Sequence, residues 1–457
     1  MFVSLFFILS WISSEFSYDR RNIDKPIILM VVLLIVSGAL YLWLVLWFKP
    51  APRGRFWPYG IFLVGLFARL SLFLSTPILE DDYYRYLWDG GMVAHGFNPY
   101  PYSPREVLGG GSAAVPGQLA ELVKEARPIL ERVNHPGLKT IYPPVAQFAF
   151  GLAHLLSPWS ISGWRVVLLT ADLVTLYLLF LLLRRLNLSL MGIVIYWWNP
   201  LLIKETYNSA HLDVILLPFI LGALLFSIRR RYIPAAAALG LAVGVKLWPV
   251  FLLPAVLRPV FQRPKDFALP SLTFAFLSIV MILPFFLSGL NFSSGLLAYL
   301  GHWEMNDSLF LLLLWGLRSA VHLLDMEVGY VPLLTRIAAA GFFLAWNAWL
   351  LRKPEPNPQD LIFRFLLITA GLFLLLPVQF PWYYLWMLPL LALRPRVSLL
   401  LFTALLPLYY LRFYFEVRGW AEIFDHYFIW LQFAPVWFVL IWEWQKGKRG
   451  LTPREAV

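Results

Sequence analysis

Apolar runs recur along the whole of this chain, at about 26–48, 57–76, 164–183, 188–203, 210–228, 232–257, 267–288, 308–324, 331–351, 361–378, 382–393, 398–411 and 427–444. About 20 apolar residues in a helix cross the hydrocarbon core of a bilayer, and there only helices or closed barrels satisfy every backbone N–H and C=O. Roughly 11 to 14 such segments predict an all-α, polytopic transmembrane helical protein, with several segments short enough to be tilted, broken or re-entrant. Over 457 residues the chain is 60% hydrophobic and 14% charged, more apolar surface than one water-soluble core can hide. Residues 1–12 are apolar but lack a basic leading region and a small-residue cleavage site, so they are expected to stay as a membrane-entering segment. No cysteine is present, which excludes disulfides and thiolate metal sites.

The net charge of +11 is not a nucleic-acid signature, because the basic residues cluster in short interhelical loops. Arg53 with Arg55, Arg184 with Arg185, Arg229 to Arg231, Arg258 with Arg263 and Lys265, Arg352 with Lys353, Arg394 with Arg396, and Lys446 to Arg449 predict the cytoplasmic face. Glu80, Asp81 and Asp82 then fall on the extracytoplasmic face, with the loops at 204–211, 289–307, 379–383 and 412–426. Arg229 and Arg258 share a face only if 232–257 is a broken hairpin, for which Lys246-Leu247-Trp248-Pro249 is the natural break. Segment 308–324 leaves Arg352 on the outer side unless it lies along the interface or one boundary shifts.

The long outer loop, 77–140, holds the most informative chemistry. Three consecutive carboxylates at the end of a membrane helix are costly beside hydrocarbon and point to a functional site. On a helix over 80–90, Asp82, Arg85 and Asp89 share one face, and Asp81, Tyr84 and Trp88 the next. That pattern serves either a rigidifying ion pair or a general base with an orienting arginine. Farther along the loop, Gly109 to Gly111 read as a flexible turn, and 117–132 as an amphipathic helix with Leu119, Leu122, Val123 and Ala126 on one face. Asn134, His135 and Lys139 place polar groups near the rim, ahead of Tyr142-Pro143-Pro144, which forces an extended approach to the next helix. A lone histidine is more often structural than catalytic, so His135 stands as a binding candidate only.

The second polar island is 198–213, where Lys204, Asn208 and His211 share a face if the stretch is helical, a face suited to a phosphate. The plainer reading is a Lys204–Glu205 pair with His211 capping the following helix. A metal site from His211 and Asp213 lacks a third ligand, so no metal and no cofactor is expected. Lys246 either snorkels to the interface or neutralises a phosphate where the helix breaks. Gln379 to Tyr384 and Arg412, Arg418 and His426 offer aromatic walls with scattered cations.

Taken in order, Asp81 to Gly90, Gly96-Phe97-Asn98-Pro99-Tyr100, Asn134-His135-Pro136, Tyr142-Pro143-Pro144, Trp198-Asn199-Pro200, Lys204-Glu205, His211-Leu212-Asp213 and Val245 to Pro249 resemble the polytopic glycosyltransferases of the GT-C superfamily. More narrowly they resemble polyprenyl-phosphate-sugar-dependent mannosyltransferases, over about 60–260, with the amino-terminal 50 or so residues outside the likeness. The resemblance implies N-terminal membrane segments over 1–56, a catalytic module over 57–260 and a C-terminal transmembrane module over 261–457. It implies an integral protein of the cell (inner) membrane that moves a hexose, mannose above all, from a polyprenyl-phosphate donor to a glycan or glycolipid acceptor. The transfer would be inverting and extracytoplasmic, with Asp82 or its neighbour Asp81 as the general base. Arg85, Lys204, His211 and Lys246 are then candidates for the departing phosphate, Trp88, Asp89 and Tyr142 for the sugar pocket, and Glu80 and His135 for further substrate contact. A transporter or flippase of a lipid-linked substrate is the rival reading, although its usual repeated halves are not visible here.

Overall fold

The computed structural model describes residues 1–47, 57–109, 117–289, 303–324, 328–353 and 357–448, with positions 295, 298 and 301. Among the described residues seven helices are long and apolar enough to cross a bilayer: Ile27–Trp47, Ile161–Arg185, Pro264–Leu287, Val331–Leu351, Pro358–Leu375, Val397–Glu416 and Ala421–Lys446. Pro200–Asn208 and Leu212–Ile228 make an eighth if counted as one span bent by 108°, and six shorter apolar helices accompany them. No strand forms among the described residues. The protein is an all-helical, polytopic integral membrane protein, as its apolar periodicity predicts.

In chain order the first elements are α1 (Phe2–Ile12), α2 (Ile27–Trp47), α3 (Trp57–Leu72), α4 (Asp82–Ala94), α5 (Pro104–Leu108), α6 (Gly117–Leu130), α7 (Pro144–Leu156) and α8 (Ile161–Arg185). Helix α7 is absent from the apolar runs read in the sequence, because 13 residues carrying Gln147 and His154 do not register as a span. It packs against α4, and a Cβ on Gly90 of α4 would lie 2.4 Å from the Phe150 carbonyl oxygen, so a side chain there is incompatible with the crossing.

The described parts of the long outer loop are folded. Ser103 and Glu106 form a capping box at the start of α5, and Trp88, Met92, Val107, Leu119, Leu122, Ala126 and Leu130 bury one another in a small core of their own. The amphipathic stretch expected at 117–132 is α6. The glycine run beginning at Gly109 continues outside the described residues, as does most of the expected loop at 289–307.

The hairpin expected within 232–257 is present, with helix Tyr232–Val243 ending at a break that holds Lys246. At that break the Gly244 carbonyl accepts from the backbone N–H groups of Val145 and Ala146, at 2.8 and 3.1 Å. Two of the donors left orphaned at the start of α7 are thereby satisfied. At the opposite end of the hairpin, Arg258 Nε donates to the Leu351 carbonyl at 2.8 Å and Nη2 to that of Arg352 at 3.3 Å. Arg364 donates to the Lys353 carbonyl, and Arg394 and Arg396 both lie over Phe363. Arg352 therefore joins the basic end of the bundle, which removes the parity conflict raised by 308–324.

Candidate active site at the broken span

The carboxylates sit where an irregular segment, 73–81, meets α4. Asp81 is the N-cap of α4 and Asp82 its first residue, a position where the helix dipole favours negative charge. Asn134 clamps the pair from across the loop, its Nδ2 donating to Asp81 Oδ1 and Asp82 Oδ1 at 2.8 Å each. The Asp82 side chain is 28% exposed and Glu80 only 8%, so Asp82 faces the rim and Glu80 the interior. Burial and the adjacent Asp82 charge push the Asp81 carboxyl up to about 6, against the Asn134 hydrogen bond. Burial likewise raises Asp82, while Asn134 and the Lys246, His135 and Arg85 charges pull it back. Glu80 is raised well above its ordinary value, first by burial.

The bent span supplies the floor. Lys204–Asn208 is a π-helical turn, the chain breaks over 209–211, and Leu212–Ile228 runs on from His211. A π-turn inserts a residue and re-aims the side chains after it, which is why such turns recur at functional sites. His211 is fully buried, with Nε2 3.7 Å from both Glu80 Oε2 and Glu205 Oε2, and Nδ1 3.8 Å from Asp82 Oδ2. Neither ring nitrogen has a hydrogen-bond partner among the described residues. The ring is held by stacking on Trp382, with centroids 3.8 Å apart, and Trp382 stacks in turn on Phe380 at 4.3 Å. Beneath it Lys204 contacts Glu205 at 3.3 Å, Ser209 Oγ at 2.8 Å and the Tyr410 hydroxyl, which also bonds Glu205.

Beside the carboxylates, Lys246 reaches in from the hairpin break. Its Nζ lies 2.6 Å from Asp213 Oδ1, which also accepts from Trp386 Nε1 at 2.6 Å. The ammonium rests over the Tyr383 and Trp386 rings, and at 18% exposure it is a cation a ligand can reach. Among the described residues no three His, Asp or Glu side chains meet as metal ligands.

A carboxylate rim, a partnered lysine and an aromatic wall at a broken span are parts that many membrane enzymes share. What decides the family is that residues 24–261, just over half of the chain, match the N-terminal domain of the alpha-(1->6)-mannopyranosyltransferases. The chain belongs to this family. The likeness to membrane mannosyltransferases read from the sequence is thus borne out, and the family match reaches back to residue 24, so α2 lies within it. Among curated proteins the chain is 23% identical over 209 residues to alpha-(1->6)-mannopyranosyltransferase A of Corynebacterium glutamicum, covering 41% of this chain and 36% of that relative. The chain therefore aligns with little more than a third of that relative's length. No solved structure matches.

The structure brings together Glu80, Asp81, Asp82, His211 and Lys246 from among the residues singled out in the sequence, keeps Arg85 and His135 near enough for their charges to act on Asp82, and gives others different partners. Arg85 carries its charge near both Asp82 and Asp89, as the helical spacing predicts, but among the described residues it forms no direct ion pair with either: its Nη2 donates to the Leu138 carbonyl at 2.7 Å. Asp89 instead accepts from Thr140 at 2.6 Å and Gln147 at 2.9 Å. Lys204, Asn208 and His211 do not form one phosphate-facing surface, because the π-turn and the break turn them to different partners. Lys204 is wholly buried against Glu205 and Tyr410, so the Lys204–Glu205 pair exists but is internal. Trp88 belongs to the core of the outer loop. Tyr142 packs edge-on to Tyr86 and Phe150, and His135, exposed with φ of 47°, lies against Trp303. Sequence reasoning missed Tyr410, Trp386 as a partner of Asp213, and Asn134 as the clamp.

Proposed function

We propose that the chain transfers mannose from a polyprenyl-phosphate donor to a hydroxyl of a glycan or glycolipid acceptor, with inversion, on the extracytoplasmic face of the cell membrane. The observation that carries this reading is the Asp82 carboxylate, held by Asn134 at the rim and within reach of both bulk water and the Lys246 charge. Asp82 takes the proton of the acceptor hydroxyl as its oxygen bonds to the anomeric carbon, and the bond from that carbon to the phosphate oxygen breaks. The electron pair leaves with the lipid phosphate, whose growing negative charge the Lys246 ammonium meets. Asp213, Trp386 and Tyr383 keep that ammonium in place. The basic clusters at the far end of the bundle support this sidedness. An α-(1→6) product, the linkage in the family's name, requires under inversion a donor whose mannose is β-linked to phosphate.

Purified protein given polyprenyl-phosphate mannose and a glycolipid acceptor is expected to form a mannosylated product, and Asp82→Asn to lose that activity at unchanged expression. Full activity in Asp81→Asn combined with Asp82→Asn would remove the base assignment. Movement of the lipid-linked sugar across vesicles with no new glycosidic bond would instead establish the transporter reading.

A further inference from the structure

The segment that delivers the carboxylates, 73–79, has no regular secondary structure and cannot satisfy its own backbone. Leu79, immediately before Glu80, has φ of 58°, a left-handed conformation that a branched apolar residue holds only when its surroundings impose it. Three buried side chains from outside the segment supply bonds to it: Ser13 Oγ accepts from the Thr76 N–H at 3.0 Å, and two others tie the segment to the broken span and to α8. Asn208, on the last residue of the π-turn, donates from Nδ2 to Ser75 Oγ and to the Thr76 carbonyl at 2.8 Å each, and accepts at Oδ1 from the Ile78 N–H at 3.1 Å. Arg165, on α8, donates to the carbonyls of Phe73, Ser75 and Asn208 at 2.7, 2.8 and 3.1 Å. Asn208 and Arg165 are 0% and 1% exposed, and neither touches the carboxylates.

We propose that Asn208 and Arg165 are positioning residues for sugar transfer, which lock segment 73–79 onto the broken span and so set where Glu80 and Asp82 stand relative to His211 and Glu205. The inference rests on reading the carboxylate cluster as the reaction centre. One π-turn carries both halves of the geometry: Glu205 faces the His211 ring, and three residues on Asn208 holds the backbone from which Glu80 projects. Loosening that hold displaces the base without removing any group that touches substrate. A displacement of about 1 Å at a reacting group is worth about 100-fold in rate.

The test uses the full-length protein in detergent or nanodiscs. Asn208→Leu removes all three side-chain bonds, and Asn208→Asp keeps the acceptor for Ile78 but loses both donors. Expected is a fall in kcat of about 100-fold for Asn208→Leu and a smaller one for Asn208→Asp, with KM for the lipid-linked sugar within about threefold of wild type. Because the natural chain has no cysteine, Leu79→Cys gives a readout independent of activity. A water-soluble maleimide is expected to label that thiol about tenfold faster when Asn208→Leu or Arg165→Lys is added, as local opening becomes easier. Wild-type kcat per folded molecule with unchanged labelling in Asn208→Leu would overturn the positioning role. If Asn208→Leu yields no folded protein, Arg165→Lys and Asn208→Asp decide by the same two readouts. Faster labelling in a protein whose wild type makes no mannosylated product would leave the clamp as structure only, and so overturn the function reading and the proposal together.

Discussion

Two buried polar nodes lie within this bundle, and they are built in opposite ways. Around Asp172 almost every bond is made. Its carboxylate accepts from Arg69 Nε, Tyr196 OH and Tyr207 OH at 2.7 Å each, while Arg69 Nη1 donates to the carbonyls of Gly65 and Trp197 and the guanidinium lies 3.4 Å from the Trp197 centroid. Among the described residues the His211 ring makes no such bond, although Glu205 and Asp82 beside it are bonded to Tyr410 and Asn134. Three carboxylates surround the ring at 3.7 to 3.8 Å, outside hydrogen-bond range, and Glu80 Oε1 and both ring nitrogens are unpartnered. A satisfied network fixes a packing arrangement, whereas buried polar groups held apart from one another cost stability and leave valences for another molecule's atoms. The first node has the make-up of a folding element, and the second is the one to which the proposed chemistry is assigned.

The sharpest way to break that contrast is to remove one carboxylate from each node. Asp82→Asn is expected to lower kcat by about 10²- to 10⁴-fold, the usual worth of a general base, with no loss of thermal stability. Asp172→Asn strands the Arg69 charge in the interior and is expected to cost about 3–5 kcal/mol of stability, with kcat per folded molecule kept. Thermal melts and turnover on the same preparations check both. Loss of folding in Asp82→Asn, or loss of turnover alone in Asp172→Asn, would erase the distinction.

The sequence makes one node legible and hides the other. Glu80, Asp81 and Asp82 are consecutive, and their charge beside an apolar run marks them without any knowledge of the fold. The break at Lys246 is equally local, since Gly244 and Pro249 bracket it. Arg69 and Asp172 lie 103 positions apart on largely apolar helices, so nothing in the sequence pairs them. Tyr410, which meets Lys204 from 206 positions away, is invisible for the same reason. The failed i, i+4, i+7 face of Lys204, Asn208 and His211 has a different cause. That periodicity assumes 3.6 residues per turn, and the π-turn followed by a break removes it.

A middle-sized effect is expected at the clamp. As the proposed base, Asp82 would work only when ionised, and its raised pKa, like the value of about 6 at Asp81, would place the acid limb of kcat/KM above the ordinary carboxylate range. The Asn134 amide bonds the ionised form, so Asn134→Ala raises the pKa of both aspartates further. Activity is then lost earlier as pH falls and is recovered as pH rises. About a fivefold loss at pH 6 that shrinks by pH 8 is expected, in keeping with a hydrogen bond to a charged group. A loss equal at both values would mean that Asn134 holds the loop and does not tune the base.

The smallest effect tests whether the two nodes are separate at all. Tyr207 bonds Asp172 and Asn208 grips segment 73–79, yet they are neighbours in the same π-turn. Tyr196→Phe removes one bond to Asp172 Oδ1 and leaves Arg69 and Tyr207 in place, so a loss of about 1 kcal/mol is expected in a thermal melt. The acid limb of kcat/KM should stay where it is in wild type. If the limb moves with this remote substitution, the π-turn transmits strain from the folding node to the carboxylates, and the bonds at Asp172 help to set the reacting geometry as well as the packing.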